Sequence, residues 1–328
     1  MKALQLVKYG EIKDSLAFNE VKKPSIQAKD VLIEVKAAAI NPIDKSIVLG
    51  NLQAMLPVPF PSTVAYDVSG IIAEKGAEVS GFEVGDLVYA RVPQAQMGTI
   101  AEYVGVNEIA VSKKPGNITF EEAAGLPLAG LTALQSLVHV GIKENDKVLI
   151  HAGSGGVGSL AIQYAKAKGA YVYTTTSTGN VGWVKALGAD RVIDYKTEDY
   201  KTIVQDADIV FDTLGKNYSL EAFQVVKQGG KVVSVVGPLD EDSAKMFGMA
   251  DYKLPEELAK LSEEKDASYK FIFMHPNGAH LGEIKSLVEA DKIKPIIDKI
   301  YPFEESIEAF EHLASGRAKG KIIIRINK

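Results

Sequence analysis

A glycine-rich stretch near the middle of the chain has the residue types and spacing of a phosphate-binding loop. Gly153-Ser154-Gly155-Gly156-Val157-Gly158 satisfies the pattern G-x-G-x-x-G. In this pattern the first glycine permits a tight turn, the second lets backbone approach a pyrophosphate, and the third allows close packing of helix on strand. Unpaired N–H groups at the start of the helix would bind the anion. The pattern predicts a dinucleotide site; the alternative is a glycine-rich turn without a ligand.

The segment after the next strand indicates which dinucleotide binds. An NAD site places Asp or Glu about 20 residues further on, to accept hydrogen bonds from the ribose. Here the segment is Thr174-Thr175-Thr176-Ser177-Thr178, and no acidic residue occurs from Ser159 through Ala189. Hydroxyl groups can donate to a 2′-phosphate, which a carboxylate would repel. This favours NADPH, with Lys185 and Tyr195 nearby; alternatively, the run only caps the strand.

The second half of the chain contains the elements that would position this loop. Short apolar runs alternate there with helical stretches; the runs are 147–151, 170–174, 191–194, 208–212, 231–236 and 269–274. Parallel strands need crossover connections, and both faces of such a sheet must be covered. The alternation therefore predicts an α/β domain with a doubly wound parallel sheet of the Rossmann type.

The first 110 residues show a different sequence pattern. Short apolar or alternating runs at 31–36, 67–73 and 86–91 are bounded by Gly, Pro or Asp, which predicts a β-rich unit. Near the other end, a helix carries Ile307, Phe310 and Leu313 on one face. It is followed by a strand at 321–326, which needs a sheet to join.

The composition limits the class of protein. The chain has 328 residues, 46% of them apolar, which predicts two packed domains. It has no cysteine, which excludes disulfides, thiolate metal sites and a cysteine nucleophile. A net charge of −5 argues against a nucleic-acid partner. Since neither a membrane span nor a secretory signal is evident, we expect a cytoplasmic protein that does not bind membranes.

Motifs along nearly the whole chain resemble the medium-chain dehydrogenase/reductase superfamily, in particular its zinc-free quinone and enone reductases. Besides the glycine loop, they are Ala39-Ile40-Asn41-Pro42-Ile43-Asp44, Tyr66-Asp67-Val68-Ser69-Gly70, Val84-Gly85-Asp86-Leu87-Val88-Tyr89, Gly98-Thr99-Ile100-Ala101-Glu102-Tyr103, Leu126-Pro127-Leu128-Ala129-Gly130-Leu131-Thr132-Ala133 and Gly316-Arg317-Ala318-Lys319-Gly320-Lys321. One departure is Ala65, where the family commonly has glycine, which suggests a locally different backbone.

The resemblance implies a GroES-like substrate domain formed by both chain ends, residues 1–122 and 276–328, which the tail strand would complete. Residues 123–275 would be the Rossmann domain, with the active site in the cleft where the two meet. The strand at 269–274 could pair across a two-fold axis in a homodimer.

Candidate cofactor contacts come from the loop, from the carboxyl ends of the strands and from the resemblance. They are Asn41, Thr132, Gly153, Ser154, Gly155, Gly156, Val157, Gly158, Thr175, Ser177, Thr178, Tyr195, Leu214, Gly215, Val236, Gly237, Phe273 and Lys319. Asp212, also at a strand end, is expected to cap the next turn. For Lys319 the alternative is an exposed basic loop.

Three positions bear on metal binding. Zinc-dependent relatives hold a catalytic metal at places that correspond here to Asn41, Tyr66 and Leu128, none of them a plausible zinc ligand. We therefore expect no metal site.

The resemblance then implies hydride transfer from NADPH to a small quinone or enone, because a conjugated acceptor spreads the developing charge without a metal. Tyr66 and Asn41 are the candidate catalytic residues. Each could polarise the acceptor or only position a reactant. Competing hypotheses are an enoyl-thioester reductase and a non-catalytic NADPH-binding protein.

Overall fold

The computed structural model describes residues 1–326, which form two compact units. The first comprises Met1–Leu131, His275–Asp291 and the chain from Pro295 on, so that both chain ends build it. The second comprises Thr132–Met274 with the short segment Lys292–Lys294. The assignment of residues 1–122 and 276–328 to a substrate domain, and of residues 123–275 to a dinucleotide-binding domain, stays a prediction.

The strands of the first unit form two sheets. They are Lys2–Leu6 (β1), Leu16–Glu20 (β2), Asp30–Ile40 (β3), Ser62–Thr63 (β4), Asp67–Lys75 (β5), Leu87–Arg91 (β6), Tyr103–Asn107 (β7), Val111–Lys113 (β8), Ile297–Pro302 (β15) and Lys321–Arg325 (β16). The smaller sheet has the order β2-β1-β4, and the larger has the order β15-β16-β3-β5-β6-β8, with β7 also pairing with β3. The predicted β-rich unit is confirmed.

The tail strand joins the larger sheet as predicted. β16 runs antiparallel to β3, with Ile322 opposite Ile40 and Ile323 opposite Ala39. Continued by one residue, this register places Lys321 beside Asn41, where β3 ends.

The helices of the first unit cover its sheets. They are Ile12–Ser15 (α1), Pro42–Val48 (α2), Phe120–Ala124 (α3), Gly278–Glu289 (α11) and Ser306–Ala314 (α12). The predicted apolar face of α12 is confirmed, because Phe310 is buried and Ile307 and Leu313 pack against the same core. That core consists mainly of inward-facing aliphatic residues of β1, β3, β5 and β6.

The second unit contains the predicted parallel sheet. Its strands are Lys147–Ile150 (β9), Tyr171–Thr176 (β10), Arg191–Asp194 (β11), Ala207–Asp212 (β12), Val226–Ser234 (β13) and Ser268–Phe271 (β14). All neighbours in the order β11-β10-β9-β12-β13-β14 are parallel. The strand order reverses between β9 and β12, and in such sheets ligands bind beyond the carboxyl ends of the strands at this point.

Helices alternate with these strands. They are Pro127–His139 (α4), which leads in from the first unit, Gly156–Ala167 (α5), Val181–Ala186 (α6), Tyr200–Ile203 (α7), Tyr218–Val225 (α8), Glu241–Met246 (α9) and Glu256–Glu264 (α10). The strand expected to end at Thr174 continues to Thr176. The strands expected to reach Val236 and Met274 stop earlier, at Ser234 and Phe271. In both cases the apolar run continues into the loop after the strand.

Candidate functional site

The glycine loop lies between the end of β9 and the start of α5. A Cβ added at Gly153 would lie 2.2 Å from Thr174 Oγ1, and one added at Gly158 would lie 2.3 Å from the Ala152 carbonyl oxygen. Gly155, the residue before α5, has no side chain to cap the helix. The first N–H groups of a helix lack partners within it, so this end of α5 can bind an anion.

A buried histidine ties this loop to the neighbouring strand. His151 Nδ1 lies 3.2 Å from Thr175 Oγ1, which also accepts a hydrogen bond from the Ala152 N–H. The ring lies edge-on to Tyr200 and Tyr218, and its Nε2 has no hydrogen-bond partner among residues 1–326. Burial lowers the pKa of His151 to about 4, so the imidazole is neutral at physiological pH.

The hydroxyl-rich segment lies at the carboxyl end of β10. Thr175 is buried, Ser177 is partly buried, and Thr178 is exposed. Tyr195 follows β11, and its backbone N–H donates to the Thr176 carbonyl, so its exposed ring lies beside the same segment.

Sequence reasoning missed a carboxylate at this place. The Thr178 hydroxyl bonds to Asp194 and holds the pKa of that carboxyl below its ordinary value. Asp194 lies on β11, outside the acid-free stretch that the sequence shows. Ser177 and Thr178 carry the two hydroxyls of this segment that solvent reaches. Asp194 binds the Thr178 hydroxyl and leaves that of Ser177 available. Ser177 Oγ accepts a hydrogen bond from Asn180 Nδ2 and keeps its own proton for another acceptor.

Asp212 shapes the loops after β12 and β13. One carboxylate oxygen accepts the N–H groups of Leu214 and Gly215 at 2.8 and 2.9 Å. The other accepts the hydroxyls of Ser219 and Ser234 at 2.6 and 3.0 Å. Four donors on one buried carboxylate fix both loops, as the turn-capping interpretation of Asp212 predicted.

The loops that Asp212 fixes carry four predicted cofactor residues. Leu214 and Val236 are exposed at this edge, and a Cβ added at Gly215 would lie 2.7 Å from the Val236 carbonyl oxygen. Gly237 is equally confined, because an added Cβ would lie 2.4 Å from Ser219 Oγ. The structure thus brings these residues to the same edge of the sheet as the glycine loop and the end of β10.

Three other predicted contacts lie beyond the end of β14, on α4 and before β16. Phe273 lies beyond β14 and packs edge-on against Phe247, with ring centroids 5.2 Å apart. Thr132 is buried on α4. Lys319 is exposed in the loop before β16, in the first unit. Its role as a cofactor contact stays a prediction.

Asn41 belongs to a buried polar cluster in the first unit, which we define as Asn41, Asp44, Asp67 and Lys321. Asn41 Nδ2 donates to Asp67 Oδ2 at 2.9 Å, and Asn41 Oδ1 accepts from the Lys321 ammonium. Lys321 Nζ also lies 3.3 Å from Asp67 Oδ2. The contact between Lys321 and Asn41 joins residues 280 positions apart. Neither of the two sequence motifs that contain these residues predicts it.

Asp44 completes the buried polar cluster. Its Oδ2 accepts the Asn41 backbone N–H at 2.6 Å, while its Oδ1 has no hydrogen-bond partner among residues 1–326. Burial, followed by the nearby charge of Asp67, raises the pKa of Asp44 to about 7. This carboxyl is therefore partly protonated at neutral pH.

Tyr66 is fully buried beside the cluster. Its hydroxyl donates to Gln94 Oε1, and the Arg91 guanidinium carbon lies 4.4 Å from its ring centroid. Burial, followed by the charge of Asp44, raises the pKa of Tyr66, so the phenol stays protonated. The neighbouring Ala65 has φ +75°, a conformation that favours glycine. The local backbone difference suggested by the alanine stays a prediction.

A parallel sheet with a glycine loop, joined to a β-rich unit, defines the class of two-domain dinucleotide-dependent oxidoreductases. Residues 27–116 match the family described as alcohol dehydrogenase GroES-like domain, and residues 187–324 match the zinc-binding dehydrogenase family. A 2-methylene-furan-3-one reductase of Solanum lycopersicum is 35% identical over 99% of this chain and 79% of its own length. The chain belongs to the medium-chain dehydrogenase/reductase superfamily.

Two further comparisons agree with this assignment. An NADPH-dependent alkenal/one oxidoreductase of Arabidopsis thaliana, described as chloroplastic, is 34% identical over 99% of this chain and 79% of its own length. The solved quinone oxidoreductase from Coxiella burnetii has a TM-score of 0.87 and 33% identity, covering 100% of this chain and 99% of that one. The protein is an oxidoreductase that uses a nicotinamide cofactor and acts on small molecules.

The donor set does not fit the zinc that one family description implies. Asn41 has both side-chain polar atoms engaged, Tyr66 donates its hydroxyl to Gln94, and Leu128 offers no side-chain ligand atom. In the part of the chain that the structure describes, no group of three or more His, Cys, Asp or Glu residues could hold a metal ion. None of the helices formed by residues 1–326 has the length and apolar character needed to span a bilayer.

Proposed function

We propose that this protein is an NADPH-dependent reductase of α,β-unsaturated carbonyls and quinones that works without zinc. The observation that carries the proposal is the 35% identity, over nearly the whole chain, to a reductase whose name specifies a conjugated ketone. The structure adds a closely packed glycine loop at the carboxyl edge of a parallel sheet. It also adds a buried polar cluster around Asn41 that suits an oxygen acceptor better than a metal ion.

The glycine geometry supports dinucleotide binding by the second unit. Gly153 and Gly158 have no room for a side chain, and the start of α5 offers backbone N–H groups to a pyrophosphate. Gly215, whose N–H donates to Asp212, and Gly237, whose N–H donates to Ser234 Oγ, keep the neighbouring strand ends free of side chains at these two positions. The cofactor, when bound, supplies a hydride at its nicotinamide ring.

Ser177 and Tyr195 support the choice of NADPH over NADH. The free Ser177 proton and the exposed Tyr195 hydroxyl are donors suited to a 2′-phosphate. Asp194 opposes them only weakly, because the Thr178 hydroxyl and the Lys196 N–H already bond to its carboxylate. A tenfold preference needs about 1.4 kcal/mol, which one or two charge-assisted hydrogen bonds supply.

The reaction class follows from the donors that the first unit offers. Hydride arriving at the β-carbon of an enone pushes the electron pair of the double bond onto the carbonyl oxygen, and a proton from solvent completes the product at the α-carbon. The negative charge is delocalised, so hydrogen-bond donors are sufficient to stabilise it. Asn41 is the donor that we assign to this oxygen. We assign Tyr66 to the wall of the pocket, because its hydroxyl is already bonded to Gln94.

Two further properties belong to the same proposal. We infer a homodimer in which β14, the last strand in the order of the second unit's sheet, pairs with the same strand of a second copy. Size-exclusion chromatography with light scattering tests it, and a monomer at micromolar concentration would contradict it. A cytoplasmic location stays a prediction, and relatives with chloroplastic or mitochondrial names make it worth testing by fractionation.

The deciding experiment is an NADPH-oxidation screen over 2-enones, 2-alkenals, quinones and enoyl thioesters, with product analysis. Deuterated NADPH should place one deuterium on the β-carbon of a saturated ketone, or yield a hydroquinone. Turnover should survive chelation by EDTA, and elemental analysis should find no stoichiometric zinc.

Several results would contradict the proposal. Turnover of enoyl thioesters alone would favour the thioester reductase, and NADPH binding without turnover would favour a non-catalytic binder. Efficient oxidation of simple alcohols without any reduction of enones or quinones would overturn the assignment altogether.

A further inference from the structure

The orientation of the Asn41 side chain is set by two opposite charges. An ammonium can only donate, so the Asn41 atom facing Lys321 must be the amide oxygen. An ionised carboxylate can only accept, so the atom facing Asp67 must be the amide nitrogen. The oxygen and nitrogen of an Asn side chain are often exchanged without consequence, but here both partners forbid the exchange.

In this arrangement one side-chain N–H group of Asn41 has no acceptor among residues 1–326. The amide nitrogen carries two N–H groups, and the structure shows one acceptor for it among residues 1–326, Asp67 Oδ2. The second N–H is fixed in direction, because Lys321 and Asp67 hold the two ends of the same planar amide. Asn41 is only 2% exposed, so a hydrogen bond from this N–H would form away from bulk water, where it is stronger.

Lys321 is placed for this role by its surroundings. Gly320 has φ +89°, and a Cβ there would lie 2.2 Å from the Ile296 carbonyl oxygen, so the chain enters β16 by a route open only to glycine. The Lys321 backbone N–H donates to the same oxygen at 2.8 Å. Its side chain, 5% exposed, reaches the Ile40 carbonyl oxygen at 3.5 Å besides Asn41 and Asp67.

We propose that Lys321 is a positioning residue, which with Asp67 locks the Asn41 amide so that its free N–H donates to the carbonyl oxygen of the substrate. The proposal rests on the proposed enone and quinone reduction. Lys321 differs in this from Lys319, the nearby candidate cofactor contact, because the Lys321 ammonium is bonded inside the buried polar cluster. Lys321 acts through Asn41, and Asn41 acts on the reacting oxygen.

A double-mutant cycle tests the catalytic part. Asn41→Ala should lower kcat for an enone by on the order of a hundredfold, the loss typical of one oxyanion donor. Lys321→Met should lower kcat at least tenfold and leave the NADPH dissociation constant within twofold. If Lys321 acts through Asn41, the double variant should be no slower than Asn41→Ala alone. Lys321→Arg, which keeps the charge, should restore part of the rate.

Controls separate positioning from loss of stability. Lys114→Met removes another buried lysine of the first unit, whose ammonium bonds to the carbonyls of Pro115 and Ile118; it should leave kcat unchanged. Leaving Asp67 buried without its cation strongly destabilises the fold. If Lys321→Met therefore fails to fold, Lys321→Met/Asp67→Asn removes both charges and takes its place in every measurement.

A second readout does not depend on turnover. In the unliganded protein, the side-chain amide protons of Asn41, assigned by their loss in Asn41→Ala, should exchange slowly with solvent in NMR spectra. The same protons should exchange at least tenfold faster in Lys321→Met. If the wild type shows this difference in amide exchange but reduces no substrate, the proposed function and the donation to substrate are both wrong. The conclusion that Lys321 orients the Asn41 amide would still stand.

Two results would overturn the positioning role. One is equal amide exchange with and without Lys321; the other is rate losses that multiply in the double variant. A rise in the KM for NADPH with unchanged kcat in Asn41→Ala would show that the free N–H binds the cofactor instead of the substrate.

Discussion

Replacing Gly158 by alanine should damage the dinucleotide loop in a way that the structure specifies. The new Cβ would lie 2.3 Å from the Ala152 carbonyl oxygen, 2.9 Å from its carbon and 3.0 Å from Gly153 Cα. Ordinary contact begins near 3.4 Å, so α5 and the loop must separate by roughly 1 Å. The atoms in the way are backbone, which cannot rotate aside as the end of a flexible side chain can.

The size of the effect follows from two opposing terms. Overpacking of this kind costs about 1–3 kcal/mol, whereas alanine in place of glycine in a helix gains up to about 1 kcal/mol. The free energy of unfolding should therefore fall by about 1–2 kcal/mol. Because the start of α5 moves away from the phosphates, the NADPH dissociation constant should rise at least tenfold, or about 1.4 kcal/mol.

Two matched variants make the test specific. Gly182→Ala lies in α6 with no atom within 4 Å of the added Cβ, so it should raise stability by up to about 1 kcal/mol without changing NADPH binding. Gly155→Ala would meet only the Ala152 oxygen at 3.3 Å, so it should fold nearly normally but bind NADPH more weakly. Denaturant unfolding without cofactor and titration with NADPH measure both quantities. The packing argument is refuted if Gly158→Ala behaves like Gly182→Ala in both.

Four other predictions follow from single groups. The folded-state pKa of His151, about 4, lies below its ordinary value of 6.5, so the unfolded chain binds this proton first as the pH falls. The free energy of unfolding should thus fall by up to about 3 kcal/mol between pH 6.5 and 4, and His151→Asn should remove that part of the pH dependence in denaturant titrations. Ser177→Asp should lower the ratio of kcat/KM with NADPH to that with NADH at least tenfold, and an unchanged ratio would argue against the 2′-phosphate assignment. Tyr66→Phe should change kcat by less than about threefold because the hydroxyl is bonded to Gln94, whereas a loss near a hundredfold would show that it polarises the substrate. Ala65→Gly should leave the free energy of unfolding unchanged or raise it by about 1 kcal/mol. The glycine relieves the strain of an alanine in the left-handed region but gives the unfolded chain more conformational entropy. A clear fall in the free energy of unfolding would show that Ala65 is not strained.

The parts of the fold that the sequence predicts are those encoded locally. The parallel sheet is visible because each buried strand is a short apolar run, and the glycine loop because its spacing reports a steric need at Gly153 and Gly158. Strand ends are not encoded in the same way, since the run through Val236 stays apolar after the hydrogen-bonded strand stops at Ser234. Burial by the sheet and burial by the loop that follows it produce the same pattern of residue types.

The buried polar cluster could not be predicted in this way, because it depends on pairing between distant segments. Lys321 meets Asn41 only because β16 enters the larger sheet next to β3 in one register. A shift of that register by one residue would turn Lys321 to the opposite face of the sheet. Asp194 was missed for a similar reason: β11 lies next to β10, so its end adjoins the hydroxyl-rich segment. In both cases the sequence carries the residue types, and the sheet decides which of them meet.

The strength of the donor and the kind of acceptor are linked in this site. A metal ion stabilises charge concentrated on one oxygen, as in an alkoxide, whereas a single amide N–H contributes far less. An enolate or a hydroquinone anion spreads its charge over several atoms, so less charge is left on the oxygen. One N–H can then stabilise a larger share of that charge. Such a donor works only if it does not have to reorganise during the reaction, and the opposite charges of Lys321 and Asp67 meet that requirement for Asn41. The loss of metal ligands and the presence of a buried ion pair beside the amide thus point to the same class of acceptor.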